Sequence, residues 1–201
     1  MNEVQTKSYT MRKLRPDFAV YHPNGKGTGC AFRMNLHPAH ENYDGCIMME
    51  LANQSSVGNR QGAVPKYPTF DWKNSVAVKL GFSDICKVIQ VLRGTTDALE
   101  DGKGLFHRSA KFMTKITLKH ITEPVNGYVL GVYRNPNEKT ALAREQSARI
   151  LLNTWEALGI ALAFENSIGI VCFGIPKDVD AHAARPIGTS VMEDPSNVPA
   201  A

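Results

Sequence analysis

The feature that most constrains the fold is a change in hydrophobic spacing near residue 82. Before it, apolar residues recur at every second position in short segments, which is the spacing of half-buried β-strands. After it, the residues Ile85–Leu92 follow the spacing of one helix face, which Ser83 can cap and Gly94 can end. The sequence therefore predicts one helix that directly follows four strands, at residues 18–21, 30–37, 46–52 and 76–80.

The second half of the chain repeats this order of strands followed by a helix. The residues predict strands at 105–107, 111–120 and 128–134, a helix at 140–164 and a short final strand at 168–173. Two successive units, at 18–94 and 102–165, indicate the α+β class, with two antiparallel β-sheet plus helix repeats packed as one domain. That domain is expected to span residues 16–175, between a flexible basic arm at 1–15 and a disordered acidic tail at 176–201.

Positive charge is concentrated in one stretch of the chain. The net charge of the 201 residues is only +4. Residues 103–149 nevertheless carry nine Lys and Arg against three Asp and Glu, a local excess of +6. A concentrated basic patch is the electrostatic footprint of a nucleic-acid-binding surface, although a solvated face of lysines would give the same count.

The sequence lacks the signals of several other protein classes. No apolar run reaches about 18 residues and the first residues have no apolar core, so neither a membrane partner nor a secretory signal is expected. The four cysteines form no C-x-x-C pair, which favours buried free thiols in a reducing compartment such as the cytoplasm.

Catalytic and metal-binding motifs are also missing. The sequence contains no G-x-S-x-G, H-E-x-x-H, Rossmann glycine set or P-loop. His37, His40 and Cys46 lie close together but fit no standard zinc spacing. We therefore expect a non-enzymatic protein with no cofactor and no metal.

The junction between the fourth strand and the helix resembles a known fold. In Asn74–Ile85 a strand runs straight into a helix, and the chain holds two such units. This order is similar to the single-stranded nucleic-acid-binding fold of the Whirly proteins, the positive-cofactor-4 type of coactivator and the guide-RNA-binding mitochondrial proteins. Two units in one chain resemble the Whirly arrangement, and the resemblance covers residues 18–165. The segment Leu105–Arg134 is similar to the basic curved sheet of the coactivator.

A surface that binds single strands needs cations along a track and aromatic rings beside it. Alternation along the strand at 111–120 places Lys111, Lys115 and Lys119 on one face, about 13 Å apart, which suits alternate phosphates. The cations that can extend this track are Lys103, Arg108 and Arg134 on the second unit and Lys26, Arg33, Lys73 and Lys79 on the first. The stacking candidates are Tyr21, Trp72, Phe106, Tyr128 and Tyr133, whereas Trp155 is expected in the core.

The sequence and the resemblance together suggest a single-stranded DNA-binding protein of low sequence specificity, acting in replication, recombination or transcription. Two alternatives stay open: a single-stranded RNA ligand, and a structural or assembly subunit without a nucleic-acid ligand. The resemblance also implies a homo-oligomer that assembles through its helices, for which the apolar faces at 85–92 and 142–162 are suited.

Overall fold

Five antiparallel strands build the first sheet: the four predicted strands in their predicted order, and a two-residue strand at 69–70 that was not predicted. The computed structural model describes residues 17–59, 61, 64–138 and 144–175, and the predicted basic arm and acidic tail lie outside them. The strands of this sheet are β1 (Asp17–His22), β2 (Cys30–His37), β3 (Cys46–Ser56), β4 (Thr69–Phe70) and β5 (Val76–Leu80). β2 lies between β1 and β3, and β3 pairs with β5 and, at its end, with the two-residue β4.

The second sheet has four antiparallel strands in sequence order. These are β6 (Leu105–Arg108), β7 (Phe112–Ile121), β8 (Gly127–Pro136) and β9 (Gln146–Asn153). The prediction of a helix over 140–153 was wrong where the structure describes it, because β9 pairs with β8 along its whole length. Alanine and leucine favour a helix locally. Burial nevertheless alternates along β9, and pairing with β8 decides the conformation.

Each sheet ends in a helix, α1 (Phe82–Leu92) or α2 (Thr154–Phe173). α1 begins after Gly81 rather than at Ser83, and the Gly81 N–H donates to the Asp84 carboxylate at 3.3 Å. α2 extends through residues 168–173, so the predicted final strand is wrong. A short apolar run fits the spacing of a strand as well as that of a helix. Here the run continues a helix that is already formed.

The hydrophobic core lies between the inner faces of the two sheets and the two helices. Phe32 and Leu51 of the first sheet, Ile116 of the second and Phe164 of α2 are almost completely buried in it. The free thiol of Cys30 also faces this core, and burial raises its pKa to about 11. The fold is therefore α+β, with two sheet-and-helix units sharing one core, as the sequence predicted.

The outward side of α2 is apolar. Trp155, which was expected in the core, is 80% exposed, because the buried positions of this helix are Ala157, Ile160, Ala161, Phe164 and Val171. Cys172 near the end of the helix is exposed as well, contrary to the expectation of a buried thiol. Among the described residues, α2 is the one helix long and apolar enough to cross a membrane. Its buried residues lie on one side, whereas the apolar side chains of Trp155, Leu158 and Leu162 are exposed.

Candidate nucleic-acid interface

The outer face of the second sheet carries two of the three lysines predicted for the track. Lys115 and Lys119 of β7 share this face with Thr117, whereas Ile116 and Leu118 are buried on the inner face. This is the division that alternation along the strand predicted. Lys111 lies one residue before β7 and is exposed.

An aromatic ring lies on each side of Lys115. Strand register places Phe106 of β6 opposite Lys115, and Lys115 opposite Tyr133 of β8. Neighbouring strands are about 4.8 Å apart, so the three side chains form one row across the sheet. The Lys115 ammonium lies 5.4 Å from the centroid of the Phe106 ring. Phe106 is 58% exposed and Tyr133 is 39% exposed, so both rings are accessible for stacking.

Two arginines complete this surface. Arg108 is exposed at the end of β6, and Arg149 is exposed on β9 between the buried Ala148 and Ile150. Arg149 was not among the predicted site residues because its segment was predicted as helix; the alternation of Ala148, Ile150 and Leu152 was the signal that could have found it. We use the name basic face for Phe106, Arg108, Lys115, Lys119, Tyr133 and Arg149.

Among the described residues, no carboxylate forms an ion pair with a cation of the basic face. The ion pairs in the described part of the chain are His22–Glu156, Arg33–Glu50, Lys87–Glu100, Arg93–Glu165 and His107–Asp84. None of them includes a cation of the basic face. The positive charge of this surface is therefore available to an anionic ligand.

The structure contradicts the placement of Arg134 on the track. Arg134 lies on the inner face of β8, where its guanidinium donates hydrogen bonds to the Ala77 carbonyl oxygen and, at 3.3 Å, to the Thr114 hydroxyl. The same group lies 5.6 Å from the centroid of the Phe112 ring. Burial lowers the pKa of Arg134. This arginine joins the two sheets rather than facing a ligand, because position 134 has the parity of the buried residues of β8.

The structure also contradicts a role for Arg33 as a free cation. Its guanidinium donates to the Glu50 carboxylate at 2.6 Å and lies 4.4 Å from the centroid of the Trp72 ring. Tyr21 approaches the edge of Trp72, with ring centroids 6.3 Å apart. Trp72 lies in a short 3₁₀ helix rather than at the start of a strand. On the first sheet Arg33 is therefore held by Glu50 and Trp72, whereas Lys79 of β5 and the Tyr21 ring are exposed.

The remaining predicted residues are divided between the surface and the core. Tyr128 is only 8% exposed and packs beside His120, so the structure contradicts its role as a stacking platform. Four predicted cations are exposed: Lys26, Lys73 and Lys79 on the first unit, and Lys103 in the loop before β6. Lys103 is the one among these four that lies beside the second sheet.

The described residues contain no group of three His, Cys, Asp or Glu side chains that could hold a metal ion. His37 and Cys46 are paired across β2 and β3, and His40 contacts the Tyr43 ring with centroids 5.2 Å apart. The chemistry that the outer surface of the second sheet offers is thus charge and stacking.

No protein-family model and no curated protein matches the sequence. Solved structures do match the fold. WHY3 from Arabidopsis thaliana superposes with a TM-score of 0.61 at 14% identity, covering 86% of this chain and 95% of that one.

Two further solved structures show the same likeness. The plant transcriptional regulator PBF-2 matches with a TM-score of 0.57 at 15% identity, covering 84% of each chain. WHY1 from Arabidopsis thaliana matches with a TM-score of 0.55 at 17% identity, covering 78% of this chain and 92% of that one. The chain therefore has the Whirly fold, which the order of its strands and helices predicted.

Proposed function

We propose that this chain is a non-enzymatic protein that binds single-stranded DNA, with low sequence specificity, on the basic face of its second sheet. One observation carries the proposal: four cations without an ion-pair partner among the described residues share a sheet face with two accessible aromatic rings. The Whirly fold supports it, because the Whirly resemblance in the sequence implied single-stranded nucleic-acid binding.

The arrangement suits a single strand better than a duplex. A single strand exposes both its phosphates and the faces of its bases, and it binds to proteins through cations beside stacking rings. Lys115 supplies the charge between Phe106 and Tyr133 in one row. Ring faces accept any base and ammonium groups accept any phosphate, so low sequence preference follows from these side chains.

The proposal is tested by titrating a fluorescently labelled dT oligonucleotide and following its anisotropy at several salt concentrations. We expect affinity to fall steeply with salt, since each phosphate contact releases counterions. Lys115→Glu and Lys119→Glu should each weaken binding and reduce the salt slope by about one. The control is Lys66→Glu, which makes the same charge change at an exposed site on the first unit. Absence of binding at low salt, or an equal effect of all three variants, would contradict the proposal.

The choice of DNA over RNA is part of the same proposal. Discrimination depends on contacts to the 2′-hydroxyl, so a matched RNA oligonucleotide is titrated in parallel. Tighter binding of the RNA would reassign the ligand, and binding of neither strand would favour the assembly role instead. We also propose a role in replication, recombination or transcription. The free cysteines suggest that this role is in the cytoplasm.

Self-association through α2 belongs to the proposed function as well. Trp155, Leu158 and Leu162 form an exposed stripe at positions i, i+3 and i+7 of this helix. Residues at this spacing share one helix face, and an exposed apolar stripe is typical of a protein–protein contact. Repeated copies would place several basic faces along one strand and increase avidity.

A further inference from the structure

A pocket opens in the outer surface of the second sheet beside the row formed by Phe106, Lys115 and Tyr133. Its volume is about 320 Å³. The sheet supplies Thr117, Lys119, Val129, Tyr133 and Arg149, and the loop before β6 supplies a wall that includes Gly102 and Gly104. The pocket thus lies between part of the basic face and the loop before β6.

The Tyr133 ring leans over Gly131, along its own strand. A methyl group on Gly131 would lie 3.1 Å from the Tyr133 ring carbon Cε2, 3.3 Å from its hydroxyl oxygen and 2.8 Å from the Thr117 hydroxyl. Only a residue without a side chain at position 131 lets the ring come this close to the sheet. With one side turned to the backbone and 39% of its surface exposed, Tyr133 offers a platform at the edge of the pocket.

The wall is built from an unusual backbone. Glu100 and Asp101 both have positive φ angles, 47° and 53°. Such residues persist only where the surrounding structure fixes them. The hydrogen bond from the Gly104 N–H to the Leu99 carbonyl oxygen, at 3.1 Å, and the burial of Leu99 hold this loop against the sheet.

Three cations and two acids lie around the opening. Lys119 and Arg149 line the pocket, and the exposed Lys103 lies between the two glycines of the wall. Of the nearby acids, Glu100 is paired with Lys87 at 2.6 Å, and Asp101 is exposed and not among the residues that line the pocket. A ring platform with cations at the rim matches one base together with its flanking phosphates.

We propose that this pocket holds one nucleobase of the bound single strand, stacked on Tyr133 and enclosed by the loop at 98–104, with the adjacent phosphates on Lys119 and Arg149. This inference rests on the function proposed above. It adds a discrete subsite that fixes where one nucleotide lies on an otherwise sequence-tolerant face.

The test compares a dT oligonucleotide with an abasic strand of equal length, which has the phosphates but no bases. Tyr133→Ala should weaken dT binding about 5- to 150-fold, the range for loss of one stacked base, and should leave binding of the abasic strand unchanged. Tyr133→Phe should retain dT affinity. Tyr133→Leu keeps apolar volume and should behave as the alanine variant, which covers the case that Tyr133→Ala does not fold. Asn135→Ala, at the next outward position of β8 and outside the pocket lining, is the matched control.

The outcomes separate the subsite from the proposed function. Absence of dT binding by the unmodified chain overturns both. Suppose that dT binds, but that Tyr133→Ala and Tyr133→Leu weaken the binding of the dT and abasic strands equally, or do not weaken the binding of either strand. The proposed subsite is then wrong, and the proposed binding on the basic face is unaffected. Deoxythymidine monophosphate that competes as strongly as the oligonucleotide would also overturn it, because the occupant would then be a free nucleotide. Photo-crosslinking of a 4-thiothymidine oligonucleotide should label Tyr133 and the loop peptide at 98–104; labelling confined to other peptides counts against the subsite.

Discussion

At the scale of single residues, cations of similar appearance in the sequence have different roles. Arg134 and Lys115 lie on adjacent strands of one sheet, but Arg134 donates to the Ala77 carbonyl oxygen on its inner side, whereas Lys115 faces outward between two rings. An arginine inside the fold is tolerated because two of its nitrogens donate hydrogen bonds and its charge lies close to the Phe112 ring. The face that a cation occupies therefore decides whether it serves stability or binding.

This contrast predicts opposite effects for two substitutions that remove the same charge. Arg134→Met should lower the free energy of unfolding by about 1–3 kcal/mol, because the part-buried Ala77 carbonyl oxygen loses its donor. Its effect on dT affinity should be smaller than that of Lys115→Met, which should reduce affinity with little loss of stability. Urea denaturation and anisotropy titration on the same samples measure both quantities. A larger affinity loss for Arg134→Met would contradict the assignment.

Part of this site could be predicted from the sequence, because a strand alternates by residue number. The outward positions of Lys115 and Lys119 followed from parity alone. The pairing of Arg33 with Glu50 could not be predicted, since it depends on the register between β2 and β3. Tyr128 was misassigned although parity was available, because even-numbered positions of β8 face inward.

At the scale of elements, the two helices begin in the same way. Asp84 accepts from the Gly81 N–H before α1, and Glu156 accepts from the Asn153 N–H before α2. Each carboxylate also pairs with a histidine from the other unit: Asp84 with His107 of β6 at 3.1 Å, and Glu156 with His22 of β1 at 2.7 Å. One acid thus caps its helix and connects the two units.

We predict that Glu156→Ala destabilises the fold by about 1–2 kcal/mol, because it removes a helix cap together with the contact to His22. Glu156→Gln keeps an acceptor for the Asn153 N–H and should cost less. Urea unfolding of both variants gives the difference. Equal losses would show that the capping hydrogen bond contributes nothing and that charge alone matters.

The order of elements was predictable for the first unit but less so for the second. In the first unit apolar residues alternate at 30–37 and 76–80, and the change to helical spacing at Ile85 is sharp. In the second unit β9 runs straight into α2, and residues such as Leu151 and Leu152 suit either period. Only the pairing of β9 with β8 resolves the ambiguity, and that pairing is a long-range contact.

At the scale of the whole molecule, the two units share one fold but not one surface chemistry. On the first sheet the outward Arg33 is neutralised by Glu50 and covered by Trp72. On the second, the cations of the basic face have no ion-pair partner among the described residues, as is also true of Lys79 on the first. Four of the nine cations in residues 103–149 lie on the basic face, and α2 leaves an apolar stripe elsewhere on the molecule. A chain with one binding face gains most from association with copies of itself.

The exposed stripe of α2 leads to the last prediction, that the protein self-associates through this helix. Leu158 and Leu162 are 40% and 43% exposed beside the more exposed Trp155. Leu158→Glu places a charge in that contact, so it should convert the oligomer to monomers, because burying an unpaired charge is costly. Size-exclusion chromatography with light scattering measures the mass, and circular dichroism verifies the fold.

Thr95→Glu adds the same charge at an exposed site after α1 and should leave the oligomer intact. The monomeric Leu158→Glu variant should still bind a short dT oligonucleotide, since the basic face lies within one chain, but it should lose avidity for a long one. A monomeric unmodified protein would contradict the proposed contact. If the variant and the unmodified protein had equal affinity for the long strand, self-association would not contribute to binding, because avidity requires several basic faces on one strand.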